Sequence, residues 1–158
     1  ASSAASDVYK RQAIALSIES VKNGGGPFGA VIARNGEIVA EASNSVTLDN
    51  DPTAHAEVNC IRQATRKLGT FSLEGCVIYT SCEPSPMCLG AIYWAHLDAI
   101  YYANNRTDAA AIDFDDDFIY REIALAPDHR HKPMHPLLRD EALLAFDMWQ
   151  KSDAKTEY

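Results

Sequence analysis

Four side chains in two short phrases carry the strongest chemical signal in this chain. His55 and Glu57 stand in "PTAHAEV", residues 52–58, and Ser85 and Cys88 in "TSCEPSPMCLG", residues 80–90. One imidazole and two thiolates, with a water in the fourth position, make a tetrahedral catalytic zinc site. Water held that way loses a proton near neutral pH and becomes a nucleophile. Glu57, two residues from His55, is placed to move protons rather than to bind metal. Position 85 lies three residues before Cys88, so on a helix the two face the same way. Ser85 is the anomaly: its hydroxyl is not ionised near neutral pH and is a weak ligand for zinc.

Taken singly, these residues mean little. A His-x-Glu is common, and a cysteine on an apolar helix is more often a core residue. The weight lies in the conjunction: an Asp51-Pro52-Thr53 turn before His55, then Pro84 and Cys88 after an apolar strand.

The elements that must bring these residues together are readable along the chain. Apolar residues from Val8 to Val21 recur at helical intervals, and "KNGGGPFG" ends that helix. "GAVIAR" and "EIVAEAS", split by Asn35-Gly36, predict a β-hairpin. "NSVTLDNDPT" predicts a polar loop, and "AHAEVNCIRQATRKLG" a second helix ended by Gly69. "CVIYTS" and "AIYYA" predict buried strands on either side of the helix "SPMCLGAIYWAH", with Ser85 as N-cap and Pro86 at its first position. "NNRTDAAAIDFDDDF" predicts loop and short helix. A polar loop with His129, His131 and His135 precedes a final amphipathic helix, "HPLLRDEALLAFDMWQKSD". Strands separated by helices imply an α/β fold, helices on both faces of one sheet, opening on an antiparallel hairpin. Two helix starts arranged across neighbouring strands can converge on one ion.

Composition bounds the rest. A chain of 158 residues, 47% hydrophobic, is about one domain with a real core. The net charge of −8, from 14 basic and 22 acidic residues, argues against a nucleic-acid partner. No apolar run reaches the roughly 20 residues that span a bilayer, and no signal peptide opens the chain. A cytoplasmic location is therefore expected. The four cysteines, at 60, 76, 82 and 88, suit metal or core roles rather than disulfides. Residues 1–7, "ASSAASD", are small and polar, and the expectation is a disordered or cloning-derived segment outside the domain.

The H-x-E…P-C-x-x-C pattern is the signature of zinc deaminases of bases. With "GGPFGAVI", "NDPTAHAEV", "YTSCEP-PMCLGAIYWA", "FDDDFIY" and a terminal Tyr158, the chain resembles the cytidine and deoxycytidylate deaminase superfamily, and within it the bacterial guanine deaminases. The resemblance covers most of residues 24–158. It implies a three-layer α/β/α cytidine-deaminase-like fold with one mixed sheet of about five strands, spanning 1–158 as a single deaminase domain. It implies zinc as cofactor, held by His55, Cys88 and the residue at position 85, with Glu57 as the proton shuttle. Phe28, Asn44 and Ala54 would contact the base, and Asp116 and Tyr158 would read the guanine edge. The tail from about residue 150 to 158 would be exchanged between the subunits of a homodimer. Read from the residues alone, Asn44 is equally a turn residue, Phe28 a core residue, Asp116 one of a solvated acidic run and the tail disordered.

The implied reaction is hydrolysis of guanine to xanthine and ammonia. Related amino-substituted rings (guanosine, cytosine-type bases, isocytosine, aminotriazines) offer the same chemistry. The tRNA adenosine deaminases share the motif, but the acidic balance disfavours them. Ser85 departs from the family's cysteine and leaves three accounts open: an incidental or engineered change that weakens zinc or abolishes turnover, a natural variant holding zinc through Ser85 or an extra water, or a purine-binding protein without catalysis.

Overall fold

The structure, a computed structural model, describes residues 3–158. In chain order its elements are α1 (Ser3–Lys22), β1 (Gly29–Arg34), β2 (Glu37–Ser43), α2 (Val46–Asp49), α3 (Ala56–Leu68), β3 (Val77–Cys82), α4 (Pro86–Trp94), β4 (Ala99–Asn104), α5 (Arg106–Ala110), α6 (Asp116–Ala124), a 3-10 turn (Pro127–His129) and α7 (Arg139–Lys151). They fall into two compact units, the first ending at Asp117 and the second beginning at Phe118.

The hairpin forms where Asn35-Gly36 predicts it. Both residues take positive φ, 52° and 80°, as a two-residue type I′ turn requires. β1 pairs antiparallel with β2 on one side and with β3 on the other, and β3 pairs parallel with β4, giving the order β2-β1-β3-β4. A parallel pair needs a crossover, and α4 supplies it.

Alternation along β1 separates two cores. Ala30 and Ile32 face one side, where Ala56, Cys60 and Ala64 of α3 and Ile92 of α4 close over them. Val31 and Ala33 face the other, against Tyr9 and Ala13 of α1. The first unit is thus a three-layer α/β/α sandwich. The four cysteines are free and buried.

Four expectations need correction. The sheet has four strands among the described residues, not about five. The stretch after the 3-10 turn carries Pro133 and Pro136, which cannot donate to a ladder. The segment Ser3–Asp7, set apart by its composition, belongs to α1, with Ser6 buried; alanine is the best helix former. Residues 1 and 2 lie outside the described residues. The final helix starts at Arg139 rather than near His135, because Leu138 takes a left-handed conformation, φ 56°. Within the stretch predicted as a polar loop, Val46–Asp49 makes one short helical turn.

Candidate active site

Two helix starts define the site. His55 is the N-cap of α3 in extended conformation, set by a turn in which Asp51 accepts from the Thr53 N–H at 2.8 Å and from its hydroxyl at 2.7 Å. Ser85 is the N-cap of α4, Pro86 occupies the first turn, and Cys88 follows. The strand β3 delivers Cys82, Glu83 and Pro84 to this point. Both helices turn the positive ends of their dipoles toward the same place.

Across that junction His55 Nδ1 lies 3.4 Å from Cys88 Sγ. Two ligands of one tetrahedral zinc, at about 2.0–2.1 Å for nitrogen and 2.3 Å for sulfur, would stand about 3.5 Å apart. These two donors therefore fit the ion. The third does not. The Ser85 hydroxyl accepts a hydrogen bond from the Cys88 backbone N–H at 3.3 Å, so it caps α4. Among the described residues, no three His, Cys, Asp or Glu side chains form a set that could hold a metal ion.

Burial sets the charges. It pushes the Glu57 carboxyl up from its ordinary range, against hydrogen bonds that include one with Cys88. It also pushes the Cys88 thiol up, with the Glu57 charge adding to it; a cation beside the sulfur would reverse that. Burial lowers His55, opposed by Asp116, which favours a neutral imidazole, the form that ligates metal. Asp116 is raised by burial and pulled back by His55 and then Arg106, with Asp115 opposing them.

Above these groups opens a cavity of about 240 Å³, lined among others by Phe28, Asn44, His55, Glu57, Ser85 and Asp116. That is small for a ligand site, where drug-sized molecules occupy roughly 300–1,000 Å³; it suits a bare base. Asn44 is buried, and its Oδ1 accepts from the Val46 N–H at 3.1 Å. Its N–H₂ can turn toward a ligand. Cys88 is fully buried beneath the cavity rather than in its lining. Ala54 is likewise buried and absent from the lining; its carbonyl accepts from the Ser45 N–H at 2.9 Å. Tyr158 belongs to the second unit and is exposed. Sequence reasoning passed over Phe114, which lines the cavity and meets Phe28 edge-on, ring centres 5.0 Å apart. The signal was its place directly before the acidic run Asp115–Asp117.

A mixed sheet layered between helices, with an imidazole and a thiol meeting at two helix starts, defines a cytidine-deaminase-like protein. The chain belongs to the cytidine and deoxycytidylate deaminase family, whose zinc-binding region it matches over residues 4–104. It is 50% identical over 153 residues to the guanine deaminase of Bacillus subtilis strain 168, covering 96% of this chain and 98% of that one. The X-ray structure of guanine deaminase from Bacillus subtilis superposes with a TM-score of 0.93 at 50% identity, covering 96% and 98% of the two chains. A second solved structure, a complex with 2,6-diaminopurine, matches at TM-score 0.68 and 30% identity over 70% of this chain and 62% of that one.

Proposed function

We propose that this protein is an aminohydrolase that converts guanine to xanthine and ammonia. The observation that carries the reading is the placement of Glu57, buried beside Cys88 and facing a base-sized cavity walled by Phe28, Asn44 and Asp116. The relatedness to guanine deaminase along nearly the whole chain supports the choice of base.

His55 and Cys88 would hold zinc, with water in the place that Ser85, turned to the α4 cap, leaves open. When bound, zinc supplies a water acidified toward neutral pH. Glu57 takes the proton released as the water oxygen adds to the amine-bearing ring carbon, and passes it to the adjacent ring nitrogen. It then takes the proton of the added hydroxyl and delivers it to the amine, so the carbon–nitrogen bond breaks, the ring carbonyl forms and ammonia leaves. A carboxyl held above its ordinary range by burial suits both directions of transfer. Phe28 packs on the base, edge-buttressed by Phe114. The Asn44 amide and the Asp116 carboxylate offer polar partners for the guanine edge.

Both units are read as parts of one deaminase domain, acting as a homodimer in the cytoplasm, with the tail carrying Tyr158 reaching a neighbouring subunit's cavity. The apolar side chains Leu144 and Met148, one turn apart on α7 and exposed at 63% and 64%, support a face that another surface covers. No helix among the described residues is long and apolar enough to cross a membrane.

Ser85 favours a second reading, purine binding with little or no turnover, because its hydroxyl is committed to the α4 cap. One assay separates the two. Ammonia and xanthine are measured from guanine, beside guanosine, cytosine and isocytosine, for this chain and for Ser85→Cys. Guanine turnover by this chain supports the deaminase reading. No turnover by this chain, with guanine still bound, supports the second, and turnover gained by Ser85→Cys assigns the loss to Ser85.

A further inference from the structure

Arg106 lies outside the cavity lining but ties two of its walls together. Its Nε stands 3.2 Å from Oε2 of Glu83 in an ion pair, and its backbone N–H donates to Oε1 of the same carboxylate at 3.1 Å. Its Nη1 stands 3.5 Å from Oδ1 of Asp117. Glu83 sits between the end of β3 and the Ser85 cap, and both Glu83 and Ser85 line the cavity. Asp117 follows Asp116 in the first turn of α6.

The anchor for this guanidinium is firm. Arg106 opens α5, whose start is closed by a capping box: Asn105 Oδ1 accepts from the Asp108 N–H at 2.9 Å, and Asp108 Oδ2 from the Asn105 N–H at 2.9 Å. The Glu83 N–H donates to the Asn104 carbonyl at 2.7 Å. The far partner is the one that needs holding. Asp115, Asp116 and Asp117 are consecutive carboxylates at the entry to α6, and like charges so close repel. The chain before them passes through Asp113 at φ 73°.

We propose that Arg106 is a positioning residue for base recognition: by bridging Glu83 and Asp117 it fixes the start of α6 and holds the Asp116 carboxyl in the cavity wall. The inference rests on reading Asp116 as a contact to the purine. A planar fork can satisfy two carboxylates at fixed angles, which an ammonium does less well. An exposed ion pair adds little stability by itself, about 0–1 kcal/mol, so the role is geometric.

The test uses the intact chain and two readouts. Hydrogen exchange by mass spectrometry follows residues 112–117, with α3 as the internal control. Guanine affinity is measured by calorimetry, which needs no turnover. Arg106→Gln and Asp117→Asn are each expected to speed exchange over 112–117 and leave α3 unchanged. Each is expected to weaken guanine binding about two- to fivefold, and the double variant no more than either single one. Arg106→Lys restores only part of both effects. In a Ser85→Cys background, the expected change is in KM with kcat nearly constant. Unchanged exchange and affinity in Arg106→Gln, or additive effects in the double variant, would overturn the proposal. If the parent protein binds no guanine while exchange still rises in Arg106→Gln, the clamp stands and the guanine reading falls.

Discussion

The Nδ1 of His55 and the Sγ of Cys88, 33 residues apart in the chain, meet at 3.4 Å. That spacing is what two ligands of one tetrahedral ion require, and it exists because α3 and α4 begin beyond the same end of the strands. Ser85, the residue that ought to complete the set, is turned to a different task as the N-cap of α4.

Ser85→Cys should therefore have opposite effects with and without metal. Losing a serine N-cap costs about 1 kcal/mol, so in chelator the variant should melt below the parent. With zinc it should melt above it, and its content after dialysis should rise toward about one ion per chain. Calorimetric melting and elemental analysis check both. Equal zinc content in the two proteins would remove the argument.

Glu57→Gln keeps the shape of the side chain and removes its proton chemistry. In the Ser85→Cys background it should leave zinc content near that of its parent and lower turnover of guanine at least about 10²-fold, the usual scale for an acid–base group. A clear loss of zinc would show that Glu57 is a ligand instead.

Deleting the last few residues, Tyr158 included, should leave folding and zinc intact and impair guanine deamination in the Ser85→Cys background. A buried polar partner left unmatched costs about 1–3 kcal/mol, and kcat/KM of full-length and truncated proteins reads it. Mixed dimers of a Glu57→Gln chain with a tail-deleted chain extend the test. Recovered activity places the tail across the subunit boundary, and its absence with both folds intact argues against exchange.

Two glycines should separate stability from recognition. A Cβ on Gly29 would lie 2.4 Å from the Ala13 carbonyl and 2.7 Å from Leu16 Cβ, forcing α1 off the sheet. Gly29→Ala should cost about 1–3 kcal/mol of stability by urea titration, the scale of overpacking. A Cβ on Gly26 would lie 3.0 Å from Asn44 Oδ1. Gly26→Ala should weaken guanine binding through displaced Asn44 while melting close to the parent; unchanged affinity would remove Asn44 from recognition.

The thiols give a pH-dependent check. Burial, and then the charges of Glu57, Asp116 and Glu83, push Cys82 up to about 11. A raised thiol stays protonated at neutral pH and reacts slowly, since the thiolate is the nucleophile. Metal-free protein at pH 7.5 should show no fast-reacting thiol toward Ellman's reagent, and all four should react after denaturation. A fast thiol in the folded protein would place one of them at the surface.

Much of this architecture is legible in the sequence because its signals are local. Asn35-Gly36 makes its turn from backbone preference alone, Gly69 ends α3 in a left-handed conformation, and Ser85-Pro86 starts α4 by capping chemistry. His55, Glu57 and Cys88 stood out for the same reason: their types and spacing are written within a few residues. What needed the fold was everything set by long-range pairing. Only the order and direction of β2-β1-β3-β4 decide that two helix starts share one end of the sheet and so bring His55 to Cys88. Only packing decides that Glu57 is buried, and so that its carboxyl is raised. Neither Phe114 against Phe28 nor Arg106 between Glu83 and Asp117 leaves a periodic or spaced trace in the chain, because side chains far apart in sequence meet only where the whole sheet puts them.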